Sequence, residues 1–246
     1  VLGSNIMNIF LILGVTTIIC PMDVEKISVK RDLPIGLIAT LFLALAANGY
    51  LLGLPPVINR LDGAILLLIF AAYLWLTLRS GKPLEANIDI NEKKADSWPK
   101  TIFLLIIGLL GLYFGGEWVS EGALAVASAL GLSESAVGLT IVAAATSLPE
   151  LATGVVAALK KNVGIVMGNV LGSNIINILV VLGASAMINP LQFDPKMNVE
   201  IGMVLFANLA LLGLIFFGKG LHLSRREGVL LFFIYLAFVS FSISYN

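Results

Sequence analysis

Residues Val170–Pro190, VLGSNIINILVVLGASAMINP, repeat the opening of the chain, Val1–Pro21, VLGSNIMNIFLILGVTTIICP. At a constant offset of 169, 12 of the 21 positions are identical. Both copies lie in apolar runs of about 20 residues, the length a helix needs to cross a bilayer. A long-period duplication of membrane segments predicts a transporter of two related halves, with its site at their interface. The second copy follows 69 residues of its own half, Thr101–Asn169, and the first follows none in this sequence. Halves of equal length therefore predict about 70 further N-terminal residues carrying two more spans.

Composition agrees with a membrane class. The 246 residues are 59% hydrophobic and 12% charged, with a mean hydropathy of +1.00. Soluble domains have about 45–50% apolar and about 25% charged residues. The apolar runs predict an all-α membrane protein with eight spans, at 2–20, 35–54, 61–78, 101–119, 137–160, 164–188, 199–217 and 227–244. The fourth continues as an amphipathic stretch to about Leu130. Zero net charge points to neither a nucleic-acid nor an acidic partner, and the single cysteine, Cys20, excludes an intramolecular disulfide.

Alternating sides through eight spans puts thirteen Lys and Arg residues on one face, among them Lys26, Lys30, Arg79, Lys93, Lys160 and Arg225, and only Arg60 and Lys196 on the other. This bias predicts that the first face is cytoplasmic. The only long polar connection, 79–99, then reads as a cytoplasmic linker. It separates residues 1–78, three helices of a first repeat, from 100–246, five helices of a second. Leu61-Asp62-Gly63 leads into the third span as Arg226-Glu227-Gly228 leads into the last, so the duplication covers spans one to three and six to eight. Five spans per half is an odd number, which forces the halves into opposite orientations: an inverted repeat, with eight of an expected ten helices in this sequence.

Chemistry is expected where ionisable groups sit at membrane depth, since each costs about 2.5–3.5 kcal/mol by insertion scales. The fifth span reads AVGLTIVAAATSLPELATGVVAALKK, with Thr146, Ser147 and Glu150 in the middle of an apolar helix. Pro149 has no amide proton and clashes with the preceding turn, which frees carbonyls near Ala143 and Ala145. Ser147 and Thr146 lie three and four residues before Glu150, on one helical face. Two hydroxyls, a carboxylate and freed carbonyls are hard oxygen ligands, suited to Ca²⁺, Na⁺ or Mg²⁺. The structural alternative is a proline kink whose Glu is satisfied by a neighbouring helix.

The repeat adds two matched pairs, Ser4/Asn8 on the first span and Ser173/Asn177 on the sixth, each spaced i,i+4. One such pair reads equally well as hydrogen-bonding glue between helices. Two at equivalent places favour a site. Asn5 and Asn174 point elsewhere and are expected to hydrogen-bond the backbone of a broken helix. Gly164, Gly168 and Gly172 recur every four residues and predict a face for close helix packing.

These motifs, GLTIVAAATSLPELATG followed by GNVLGSNIINI, with GSNIMNI at the opening and GGEWVSEGA before the second repeat, resemble the alpha-repeats of the sodium/calcium exchangers in the calcium/cation antiporter superfamily. The resemblance spans the chain. It implies a ten-helix, multi-pass exchanger of a prokaryotic cell membrane, with Ca²⁺ and Na⁺ as transported ions, no cofactor, and helices three to ten present here. It also implies a ligand set of Thr146, Ser147, Glu150, the Ala143 carbonyl, Ser4, Asn8, Ser173 and Asn177. The partner carboxylate of Glu150 would come from upstream helices needed to complete the site. Asn177, where potassium-dependent exchangers typically carry Asp, points to potassium independence.

The expected mechanism is alternating access, with Ca²⁺ and Na⁺ competing for one oxygen-lined cluster. A site with unneutralised carboxylates crosses the apolar barrier poorly, so only filled states cross. The alternatives are a proton-coupled exchanger, in which Glu150 is protonated in place of Na⁺ loading, and a transport-inactive fragment. An intramembrane hydrolase fails on inventory, because the single His222 sits in a loop beside Arg225 and no HExxH or GxSxG motif occurs. A membrane scaffold would have no use for Glu150.

Overall fold

The computed structural model describes residues 1–49, 55–79, 98–129, 143–217 and 220–245. The first helix, α1 (Leu2–Ile19), is one continuous rod: α-helical over Leu2–Met7, π-helical over Asn8–Ile12 and α-helical again over Leu13–Ile19. Cys20 is extended before Pro21, whose ring disfavours a helical predecessor and ends the run. The repeat reproduces this design. Helix α6 (Val163–Ile188) passes through a π turn at Asn177–Leu182 and ends at the extended Asn189 before Pro190. The two π turns begin at Asn8 and Asn177, equivalent positions in the duplication, so the helices are distorted where a broken helix was expected.

The remaining described helices are α2 (a π turn at Ser28–Asp32 running into Leu33–Ala47), α3 (Arg60–Arg79), α4 (Trp98–Ala129), α5 (Ala143–Leu159), α7 (Asn198–Phe217) and α8 (Arg225–Tyr245). They correspond to the eight predicted spans, with 35–54 and 137–160 running into residues outside the described set. Most of the linker, 80–97, also lies outside it. Among the described residues, five helices are long and apolar enough to cross a membrane.

The halves are interlaced. Two short antiparallel ladders join them, β1 (Met22–Asp23) with β4 (His222–Leu223) and β2 (Val57–Ile58) with β3 (Leu191–Gln192). In each ladder the strand that follows a duplicated helix, α1 or α6, pairs with the strand that precedes a helix of the other half. Helix crossings obey the same exchange: α1 packs on α8 and α6 on α3. A Cβ on Gly228 would lie 2.8 Å from the Gly14 carbonyl oxygen, and one on Gly63 would lie 2.6 Å from that of Gly183. Only glycine permits backbones this close. Gly14 and Gly183 are equivalent in the repeat, so the two crossings are related by a pseudo-two-fold axis.

Helix α1 is the centre of the core, with Ile6, Ile9, Phe10, Ile12 and Leu13 fully buried. On α4 the apolar window Trp98–Trp118 buries nothing against the described protein, and Ile102, Phe103, Leu105 and Phe114 are exposed. Such a helix is stable only in a medium as apolar as its side chains. At the expected glycine packing face, a Cβ on Gly168 or Gly172 would meet no described residue within 4 Å. No described helix lies against that face of α6.

Candidate cation site

Helices α1, α5 and α6 converge where the duplicated asparagines meet. The Asn5 side-chain amide donates to the Asn174 carbonyl at 3.2 Å, and the Asn174 amide donates to the Asn5 carbonyl at 3.3 Å. Asn8 Nδ2 donates to Asn174 Oδ1 at 2.9 Å, and Asn177 Nδ2 donates to Asn5 Oδ1 at 3.0 Å. Each pair of bonds exchanges under the repeat offset, so the pseudo-two-fold axis passes between Asn5 and Asn174. The expectation that these two bond backbone is met, each using the other's helix. The network also orients Asn8: its nitrogen is committed inward, and its Oδ1 is buried with no partner.

Helix α5 packs along α1 beside this cluster, with Gly154 against Ile12 and Thr16 at 3.2 Å for a notional Cβ. It brings Ser147, buried, and Glu150, whose Oε2 is buried and accepts no hydrogen bond. The described salt bridges are Arg31–Asp32 and Asp23–His222, so among the described residues no cationic side chain pairs with Glu150. A buried carboxylate or amide oxygen without a partner is costly unless a cation or proton compensates it. Ala143 and Thr146 lie in the first turn of α5, and their side chains are outside the described set. Ser4, Ser173 and Asn177 are half-buried. The structure therefore brings Asn8 and Asn177 into the network on the dyad, with Ser4 and Ser173 one residue before Asn5 and Asn174 in the chain and Ser147 and Glu150 on the helix that packs alongside.

Sequence reasoning missed Asn169, whose Nδ2 donates to the Glu150 carbonyl at 3.1 Å and ties α6 to the Pro149 turn. Its signal was present: Asn169, Ser173 and Asn177 follow one another at i,i+4. Thr16 was missed as well; its hydroxyl donates to the carbonyls of Ile12 at 2.8 Å and Leu13 at 3.1 Å, where the π turn gives way to α-helix. Among the described residues no cluster of three or more His, Cys, Asp or Glu occurs.

Membrane-length helices and repeats interlaced about a pseudo-two-fold axis define an inverted-repeat membrane transporter. The profile of the family described as "Sodium/calcium exchanger protein" matches residues 1–79 and 100–244, and the chain belongs to that family. The putative antiporter CaxA of Alkalimonas amylolytica is 34% identical, covering 96% of this chain and 75% of its own length. The sodium/calcium exchanger MaX1 of Methanosarcina acetivorans is 30% identical over 97% of this chain and 77% of its own. Among solved structures, the sodium-calcium exchanger NCX_Mj is similar with a TM-score of 0.72 at 33% identity, covering 97% of this chain and 74% of that one. The family is one of transporters, and the chain is an integral membrane protein.

Proposed function

We propose that this chain forms most of a secondary antiporter exchanging Ca²⁺ for Na⁺ by alternating access. The observation that carries this reading is the pair of buried oxygens without partners, Glu150 Oε2 and Asn8 Oδ1, on packed helices at the dyad. Both are hard ligands, as Ca²⁺ and Na⁺ require. The ligand set is Glu150, Ser147, Thr146, the Ala143 carbonyl, Ser4, Asn8, Ser173 and Asn177. Ions of similar radius compete for these oxygens, and the charged empty site resists crossing the apolar barrier, which couples the two flows.

The pseudo-two-fold also bears on completeness. Helix α5 covers α1 at Ile12 and Thr16, while Val181, the equivalent of Ile12 on α6, is exposed among the described residues. A helix preceding Val1 and carrying its own Pro-Glu turn would lie there and add a second carboxylate. The two carboxylates would neutralise one Ca²⁺. The basic face is read as cytoplasmic, in a prokaryotic cell membrane, with 79–99 as the connection between repeats 1–78 and 100–246.

Glu150→Gln tests the assignment in proteoliposomes of the whole protein. Ca²⁺ uptake driven by a Na⁺ gradient should be lost, because a neutral amide cannot offset divalent charge in a low-dielectric site. Undiminished uptake refutes it. Proton coupling is the second reading, favoured by the same orphaned oxygen, which a proton would also satisfy. Uptake driven by a pH gradient without Na⁺ would select it.

A further inference from the structure

Away from the cation site, a cavity of about 330 Å³ opens where α2 begins and α7 ends. Lys26, Val29 and Lys30 form one wall, Ile215 and Phe216 the other, and Gly220 lies at the rim. Lys26 and Lys30 are four residues apart, one helical turn, and both are exposed. Neither has a carboxylate partner among the described residues. The adjacent Arg31 differs: its Nε lies 2.7 Å from Asp32 Oδ1, and its guanidinium stacks 5.4 Å from the Tyr73 ring centre. The rim is held in place, since Gly220 takes φ +68 and the Leu221 carbonyl accepts from the Val24 amide at 2.6 Å, beside the β1–β4 ladder. Phe216 is 66% exposed towards what would be lipid.

A free anion would be served by the two ammonium groups and would gain nothing from the apolar wall. A phospholipid uses both. We propose that this cavity binds an anionic phospholipid of the leaflet on the basic face, with its phosphate between Lys26 and Lys30 and an acyl chain along Ile215 and Phe216. Charge complementarity to an anionic leaflet and the depth of the site, at a helix end, both fit that occupant. It occupies the seam between α2 and α7, one helix from each half.

The test is native mass spectrometry of the purified protein equilibrated with mixed micelles holding equal phosphatidylglycerol and phosphatidylcholine. The wild type should retain phosphatidylglycerol preferentially. Retention should fall about fivefold for each lysine removed in Lys26→Gln and Lys30→Gln, survive in the double Lys→Arg variant, and be unchanged in Lys196→Gln at the opposite end. Phe216→Asp, which leaves both lysines in place, should also lower it. Equal retention by the double Gln variant overturns the proposal, as does displacement of the lipid by millimolar inorganic phosphate, which would assign the site to a free anion.

Discussion

Replacing Asn174 by alanine removes two hydrogen bonds at once: its own donation to the Asn5 carbonyl and the one its Oδ1 accepts from Asn8. Interhelical side-chain bonds in membrane proteins average about 0.6 kcal/mol and reach about 1.7 kcal/mol in double-mutant cycles. Asn5 is fully buried and Asn174 nearly so, so no water replaces the lost partners, and the total cost should be about 1–3 kcal/mol. The geometry makes a sharper demand on the couplings. Asn8 and Asn174 share a bond, as do Asn177 and Asn5, and Asn8 and Asn177 share none. Thermal unfolding in detergent, with Na⁺ absent and Ca²⁺ chelated, should therefore give coupling energies of about 0.6–1.7 kcal/mol for the two bonded pairs and near zero for Asn8 with Asn177. Asn174→Ala should also release the Asn8 amide, so Ca²⁺ affinity should fall about 10-fold or more, as for other supports of ion ligands. Additive effects at Asn8 and Asn174, or an unchanged affinity, would refute the dyad network.

The glycine crossings predict a contrast between chemically identical changes. Gly63→Ala and Gly228→Ala place a methyl 2.6 and 2.8 Å from backbone oxygens and should each lower stability by about 1–3 kcal/mol, read as a drop in melting temperature. Gly202→Ala, on the exposed face of α7 with nothing within 4 Å of its Cβ position, should be neutral or gain up to about 1 kcal/mol from helix propensity. Asn177→Asp adds a like charge near Glu150 and should make Ca²⁺ flux more sensitive to pH or dependent on K⁺; unchanged ion dependence in a folded variant removes Asn177 from the site. Asp23→Asn breaks the Asp23–His222 pair, whose Asp is 89% exposed, and should change stability by no more than about 0.5 kcal/mol in the same melts.

Class, span positions and the inverted repeat were legible in the sequence because each follows from local patterning: composition, apolar run length and a 21-residue duplication at one offset. The polar face of α5 was legible for the same reason, since an ionisable group inside an apolar helix stands out wherever it packs. Three things depended on which surfaces meet, which no periodicity encodes. Gly14 and Gly63 carry close crossings while the regularly spaced Gly168 and Gly172 meet no described residue, because partners are set by the interlacing of the halves. Asn5 and Asn174, set aside as ligands, form the hydrogen-bonded centre of the dyad, because only a pseudo-two-fold brings equivalent residues 169 apart face to face. That same pairing turns the Asn8 amide nitrogen inward and leaves its oxygen buried without a partner, an orientation that the sequence does not encode and the tertiary structure decides.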